Sequence, residues 1–145
     1  MKVVASNRRA RFDFEITDTL EAGIILTGQE VKSCRQGHID LRGSYVTFLG
    51  GKPVLKQAKI SKYTYASMIP DYNPSQDRML LLKKNEVEKL TVLTQQKGIT
   101  VVPLEVRSGH HIKVLLGVAR GRKTVDKRQR IKERETEKRM RQGNA

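Results

Sequence analysis

A mainly β fold, built as a small antiparallel barrel of about six strands with flanking helices and followed by a basic tail, is what this sequence predicts. Three observations lead there. Short apolar stretches alternate with polar residues at a period of two, tight-turn glycine dipeptides separate them, and the composition changes abruptly near residue 120.

In chain order, Asn7-Arg8-Arg9-Ala10-Arg11 reads as a polar N-terminal arm leading into the first strand. Ala10, Phe12, Phe14 and Ile16 then alternate with Arg11, Asp13 and Glu15, as in a strand with one buried face. Gly23 to Leu26 forms a second apolar stretch. Thr27 with Glu30 three residues later makes a capping-box pattern ahead of Val31, and Gly37 is placed to end that helix. Residues 44–49 and 54–60 flank Gly50-Gly51, a hairpin dipeptide. Asn85 with Glu88 repeats the capping pattern before Leu90 and Leu93, and Gly98 closes the helix. A last pair of strands, 100–106 and 112–118, flanks Ser108-Gly109. Within it Ile112, Val114, Leu116 and Val118 mark one face, and Pro103, lacking an amide donor, predicts an edge position. Six short strands and two helices in about 119 residues pack naturally as an OB-fold barrel, although periodicity does not separate that from a small sandwich.

Of the 145 residues, 29 are Lys or Arg and 15 are Asp or Glu, a net charge of +14. Residues 1–119 hold 18 basic and 11 acidic side chains, and residues 120–145 hold 11 and 4, so each part carries +7. The chain therefore divides into a body, 1–119, and a basic tail, 120–145. The tail has too few apolar residues to offset its ordering entropy and is expected to be disordered when free. Its acid-before-base pairs Asp126/Arg130, Glu135/Arg139 and Glu137/Arg141 favour a helix weakly, so it reads as a helix that forms against a polyanion.

Several classes drop out. No apolar run approaches the roughly 20 residues of a membrane span. No secretory signal is readable, and the single cysteine, Cys34, suits a reducing cytoplasm and a buried apolar role. Adjacent His110 and His111 point to opposite faces of a strand and do not chelate one metal, and no nucleophile or phosphate-loop motif occurs. No enzyme, metal site or cofactor is expected. The excess charge points to phosphates as partner. Basic groups recur at Arg8, Arg9 and Arg11, at Lys32 and Arg35 on the first helix, and around Leu80-Leu81-Leu82 at Arg78, Lys83 and Lys84. With seven aromatic residues and no Trp, recognition of a folded RNA fits better than base stacking along a single strand.

The segments NRRARFDF at 7–14, LEAGIILTGQEVKSCRQG at 20–37, LLL at 80–82, GITVVPL at 98–104, KVLLGVARGRK at 113–123, and DKR with IKERE at 126–135 occur in one order. In these the chain resembles the small protein B family, the SsrA-binding proteins of bacterial trans-translation. The resemblance implies an OB-fold body that binds the tRNA-like domain of transfer-messenger RNA (tmRNA). It implies delivery of the alanine-charged RNA, with elongation factor Tu and GTP, to stalled ribosomes, where the tail turns helical and occupies the empty mRNA channel beside the decoding site. A cytoplasmic monomer is expected.

Carried over by motif, Asn7, Arg8, Glu21 and Leu81 would touch tmRNA, with Arg9, Arg11, Lys32 and Arg35 beside them. Asn7 and Arg8 would donate to phosphate or sugar oxygens, and Glu21 would accept from a base or a ribose hydroxyl. Leu81 would cover a base or sugar, or else belong to the core. In the tail, Arg120, Arg122, Lys123, Asp126, Lys127, Arg128, Arg130, Ile131, Lys132, Glu133 and Arg134 would meet the ribosome. Some positions depart from the family pattern. Val125 and Thr136 stand where rings are common, Tyr72-Asn73-Pro74 replaces His-Asp-Pro, and Gln76 and Met79 replace basic residues. A ribosomal or ribosome-assembly protein explains the charge and the barrel equally well, but not the ordered segments.

Overall fold

The computed structural model describes residues 2–63 and 71–121. Twelve elements follow one another: β1 (Lys2–Ser6), α1 (Arg8–Asp13), β2 (Phe14–Ile24), α2 (Gly28–Arg35), β3 (Ile39–Asp40), β4 (Tyr45–Leu49), β5 (Lys52–Lys56), β6 (Lys59–Ile60), β7 (Arg78–Leu81), α3 (Lys84–Thr94), β8 (Ile99–Ser108) and β9 (Ile112–Gly121). All strand pairs are antiparallel. The order β8-β4-β5-β7-β2-β9 closes on itself because β9 also pairs with β8, giving a six-stranded ring, the architecture expected of the body. β1 lies against β8 beyond the end of β4, and β3 with β6 forms a separate ribbon.

Closure requires the long strands to bend. Register shifts sit between Ile16 and Asp18 in β2 and between Pro103 and Glu105 in β8, where an extra residue increases local twist. Pro103 therefore marks no edge strand, although its own position is paired on one side only. Its strand has neighbours on both sides, but Pro103 sits beside the bulge in the gap between Val101, which pairs with β4, and Glu105, which pairs with the last residue of β1. There the missing amide interrupts no ladder bond. At the β4–β5 turn, Gly50 and Gly51 take φ of 58° and 77°, the left-handed pair that a two-residue hairpin requires.

Alternation sends one set of side chains inward. Leu55, Leu80, Val101, Val106, Val114 and Leu116 fill the ring, and Ile60 and Cys34 pack with them from the flanking elements. Burial pushes the Cys34 thiol up to about 12, so it behaves as the small apolar residue expected of it. A second cluster, Ala10, Val102, Leu104 and Ala119, lies on the opposite face of the same strands, beneath α1.

α1 replaces the expected start of the first strand. Asn7 caps it, its Oδ1 accepting from the Ala10 amide at 3.2 Å, while its Nδ2 donates to the carbonyls of Pro103 (2.9 Å) and Leu41 (3.2 Å). The Asn7 amide also donates to Leu104 O at 2.8 Å. A six-residue helix is unstable alone, so Ala10 packing on β8 and β9 and this buried carboxamide sustain it. The strand begins instead at Phe14 and runs unbroken to Ile24, joining two stretches that polar Thr17, Asp18 and Thr19 had separated. Likewise residues 54–60 divide into β5 and β6 at Gln57, whose φ is 68°.

The expected Thr27–Glu30 capping box forms at α2. α3 starts earlier than expected, with the Lys83 amide donating to Glu86 Oε1 at 2.9 Å in place of an Asn85 cap. Arg78 also departs from expectation: it is buried, not part of a basic surface. Its guanidinium lies 2.7 Å from Glu30 Oε2, both side chains 2% exposed, and also donates to the carbonyls of Ala58, Pro74 and Gln76. The Tyr72 hydroxyl and Gln76 Nε2 approach the same Glu30 oxygen at 3.1 and 3.2 Å. Burial acts to raise the Glu30 carboxyl, but the Thr27 amide, Arg78 and Gln76 outweigh it and hold it below its usual value.

Three stability outcomes are expected. Arg78→Met leaves the Glu30 charge buried and unpaired and is expected to cost about 3–5 kcal/mol in urea unfolding, whereas Arg78→Met with Glu30→Gln loses less than the two single changes together. Because the Glu30 carboxyl is lowered in the folded state, its contribution is complete above its unfolded value. It disappears as the pH falls through the lowered folded value, so wild type is expected to lose stability below about pH 4 more steeply than Glu30→Gln. Asn7→Ala removes a cap and the Nδ2 donor to the Pro103 carbonyl, while the Leu41 carbonyl keeps its bonds from Ser44, for an expected loss of about 2–4 kcal/mol in the same assay.

Candidate nucleic-acid interface

Outward-facing residues of β7, β2, β9 and β8 form two adjoining rows. In the first, Leu81 lies opposite Gly23, Gly23 opposite Lys113, and Lys113 opposite Arg107. In the second, Glu21 lies opposite Leu115, and Leu115 opposite Glu105. Directly paired residues share a face, so this register alone brings Glu21 and Leu81, 60 positions apart in the chain, to one side of the ring. Leu81 is 57% exposed while Leu80 is buried, which removes the core alternative for Leu81. It rests on Gly23, where a Cβ would come within 3.1 Å of the Leu81 Cβ. The glycine of the LEAG segment thus gives Leu81 its seat.

Charges stand around this apolar spot in a chain of ion pairs. Arg107 Nη1 lies 3.8 Å from Glu21 Oε2, and its Nε and Nη2 reach Glu105 Oε2 at 3.2 and 3.1 Å. Arg11 Nη2 lies 3.6 Å from the other Glu105 oxygen. α1 is thereby tied to the sheet face. Lys113 has no ion-pair partner among the described residues, and it is half-buried. Arg9 pairs with Asp13 at 3.0 Å and lies over the Phe12 ring, and Arg8 is exposed beside it.

The expected site residues separate accordingly. Arg8, Arg9 and Arg11 belong to one exposed helix, not to an arm. Asn7 is corrected from a surface donor to a buried one: both its amide hydrogens go to carbonyls, none to solvent. Arg35 sits at the far end of the face, where its Nη2 donates to His110 O at 3.4 Å across a cleft of about 270 Å³ lined by Ile25 and His111. Lys32 points elsewhere on α2, its Nζ 5.6 Å from the Tyr63 ring centroid. Arg120 is exposed in β9, which continues to Gly121. Arg122, Lys123, Val125, Asp126, Lys127, Arg128, Arg130, Ile131, Lys132, Glu133, Arg134 and Thr136 lie outside the described residues.

Sequence reading missed Arg107 and Lys113 as members of the face. Their signal is the alternation of each strand about the Ser108-Gly109 turn, which becomes usable once the hairpin register pairs them. Among the described residues, no group of three His, Cys, Asp or Glu side chains is placed to hold a metal. No helix among them is long and apolar enough to cross a membrane.

A family model, SmpB protein, matches residues 4–144. An SsrA-binding protein of Synechococcus sp. (strain JA-2-3B'a(2-13)) is 47% identical over 139 residues, covering 95% of this chain and 90% of the relative. One from Lactobacillus delbrueckii subsp. bulgaricus is 45% identical over 140 residues, covering 96% and 91%. A solved structure described as "tmRNA-SmpB: a journey to the center of the bacterial ribosome" superposes with a TM-score of 0.70 at 44% identity, covering 86% of this chain and 87% of that one. A ring with an outward sheet face of this make-up, and relatives that span nearly the whole length, lead to one assignment: the chain belongs to the SmpB protein family.

Proposed function

We propose that this chain is a noncatalytic RNA-binding adaptor that binds tmRNA and acts in trans-translation on the ribosome. The observation that carries this reading is the outward face on which Leu81, Glu21, Arg107 and Lys113 converge from four strands, in a chain whose relatives are SsrA-binding proteins. It offers what recognition of a folded RNA needs: an apolar seat for a base or sugar, a carboxylate acceptor for a base or 2′-hydroxyl, and cations for phosphates. Arg8, Arg9 and Arg11 extend the cationic border from α1, and Arg35 extends it from α2. The tRNA-like domain is the part of tmRNA this face takes.

The tail is a second module with a different partner. Its net +7 and its acid-before-base spacing suit ribosomal RNA in the vacant mRNA channel, where Asp126 favours the N-terminal end of a helix and Lys127, Arg130 and Arg134 share one side. Elongation factor Tu with GTP joins through the RNA. The body acts as a monomer in the cytoplasm, where ribosomes stall.

At about 0.15 M salt the protein is expected to bind tmRNA at least tenfold more tightly than an elongator tRNA or a ribosomal RNA fragment, and equal affinities would sink this reading. Leu81→Asp, at an exposed position, is expected to leave the unfolding midpoint nearly unchanged and to weaken tmRNA binding about tenfold or more. Truncation after Gly121, the last residue of β9, is expected to preserve binding to the isolated tRNA-like domain and to abolish tagging in a stalled-ribosome translation assay. Loss of RNA binding as large as the loss of tagging contradicts the two-module division.

A further inference from the structure

We propose that Glu105 sets the RNA selectivity of the outward face by holding the guanidinium groups of Arg11 and Arg107 in ion pairs that an RNA phosphate must displace. This inference rests on the reading of that face as the RNA-binding surface and names the residue that keeps ordinary RNA off it. Glu105 is placed for the task. One of its oxygens takes two donors of Arg107 at 3.1 and 3.2 Å, and the other lies 3.6 Å from Arg11 Nη2. Its side chain is 21% exposed, against 32% for Arg107 and 48% for Arg11, so a carboxylate sits beneath two more accessible cations.

The carboxylate does there what a phosphate would do. Arg107 meets it through two N–H groups of one guanidinium, an arrangement that a phosphate oxygen can take over. An incoming phosphate therefore competes with a charge already in place, and its gain is reduced by the pairing it breaks. The cost falls in full on an RNA held through its phosphates alone, and less on one whose placement by Leu81 and Glu21 leaves part of this pairing intact. A partner that also seats a group on Leu81 and donates to Glu21 recovers it, and one offering only phosphates does not. That is selectivity through a built-in competitor: affinity for RNAs that offer only phosphates is lowered more than affinity for a partner seated on Leu81 and Glu21. Lys113, across from Arg107 and without an ion pair among the described residues, remains as the phosphate contact available to any RNA.

Glu105→Gln in the full chain tests this, because it keeps the shape of the side chain and removes its charge. Equilibrium binding to tmRNA and to an elongator tRNA is measured between about 0.1 and 0.3 M salt, with circular dichroism confirming the fold. Binding to tRNA is expected to tighten about three- to tenfold and binding to tmRNA by less, so their ratio falls, and the slope of log K against log salt for tRNA steepens by about one. Unchanged or weaker tRNA binding by the folded variant overturns the proposal. Arg107→Gln and Lys113→Gln separate the two levels of inference. If both weaken tmRNA binding while Glu105→Gln fails to tighten tRNA binding, only the role of Glu105 is wrong. If neither affects tmRNA binding, the assignment of the face is wrong as well.

Discussion

The Glu30–Arg78 pair is the constraint on which the arrangement of this molecule depends. Two charges at 2.7 Å, both shut off from solvent, are tolerable only if every remaining donor and acceptor is met. Meeting them fixes the surroundings: Glu30 closes the first turn of α2, and Arg78 gathers the carbonyls of Ala58, Pro74 and Gln76. Helix α2, the loop before β7 and the end of the β5–β6 connection are thereby held to one another. Arg78 also begins β7, so the same pairing positions Leu81 three residues later, on the outward side of the strand. Tyr72 and Gln76, two departures from the family pattern, lie inside this network, where they supply donors around Glu30. Their effect is to complete a buried polar cluster, not to remove charge from a surface.

Asn7 performs the corresponding service at the other end of the face. It joins the start of α1, the Leu41 carbonyl and the bulge of β8 through one carboxamide, and so seats Arg11 beside Glu105. A residue that the family resemblance places among RNA contacts is thus held inside the fold, where it anchors the helix that carries the exposed arginines. Matching motifs identify positions that matter, and only burial separates a contact from a support.

The same distinction governs how much was legible beforehand. Hairpins at Gly50-Gly51 and Ser108-Gly109, the Thr27–Glu30 box and the inward face of β9 could be read because each is encoded within a few residues. β1 and α1 could not, since a five-residue edge segment and a six-residue helix owe their stability to β8, about 100 positions away. Pro103 takes an edge position within an internal strand for a related reason. Whether a missing amide matters depends on where neighbouring strands stop, and the local sequence does not contain that information. Arg78 was misjudged because a buried arginine looks like an exposed one until its carboxylate, 48 residues earlier, is found beside it. For the site, Glu21 and Leu81 came from motif matching, while Arg107 and Lys113 required the strand register.

Charge distribution then gains a physical meaning that totals do not convey. On the outward face three cations, Arg11, Arg107 and Lys113, stand with two carboxylates, Glu21 and Glu105, a net of only +1, although residues 1–119 carry +7. On a patch so nearly balanced, where each group stands counts for more than the total. Such placement demands a rigid support, and a closed ring with a buried ion pair at one end and a buried carboxamide at the other supplies it. The tail has the opposite composition, cation-rich and poor in apolar residues. It suits attraction to a densely charged channel, where positional precision in the free protein serves no purpose. The two halves of the net +14 are thus of different kinds: in the body, charges set among opposite charges on a rigid support, and in the tail, a dense run of cations.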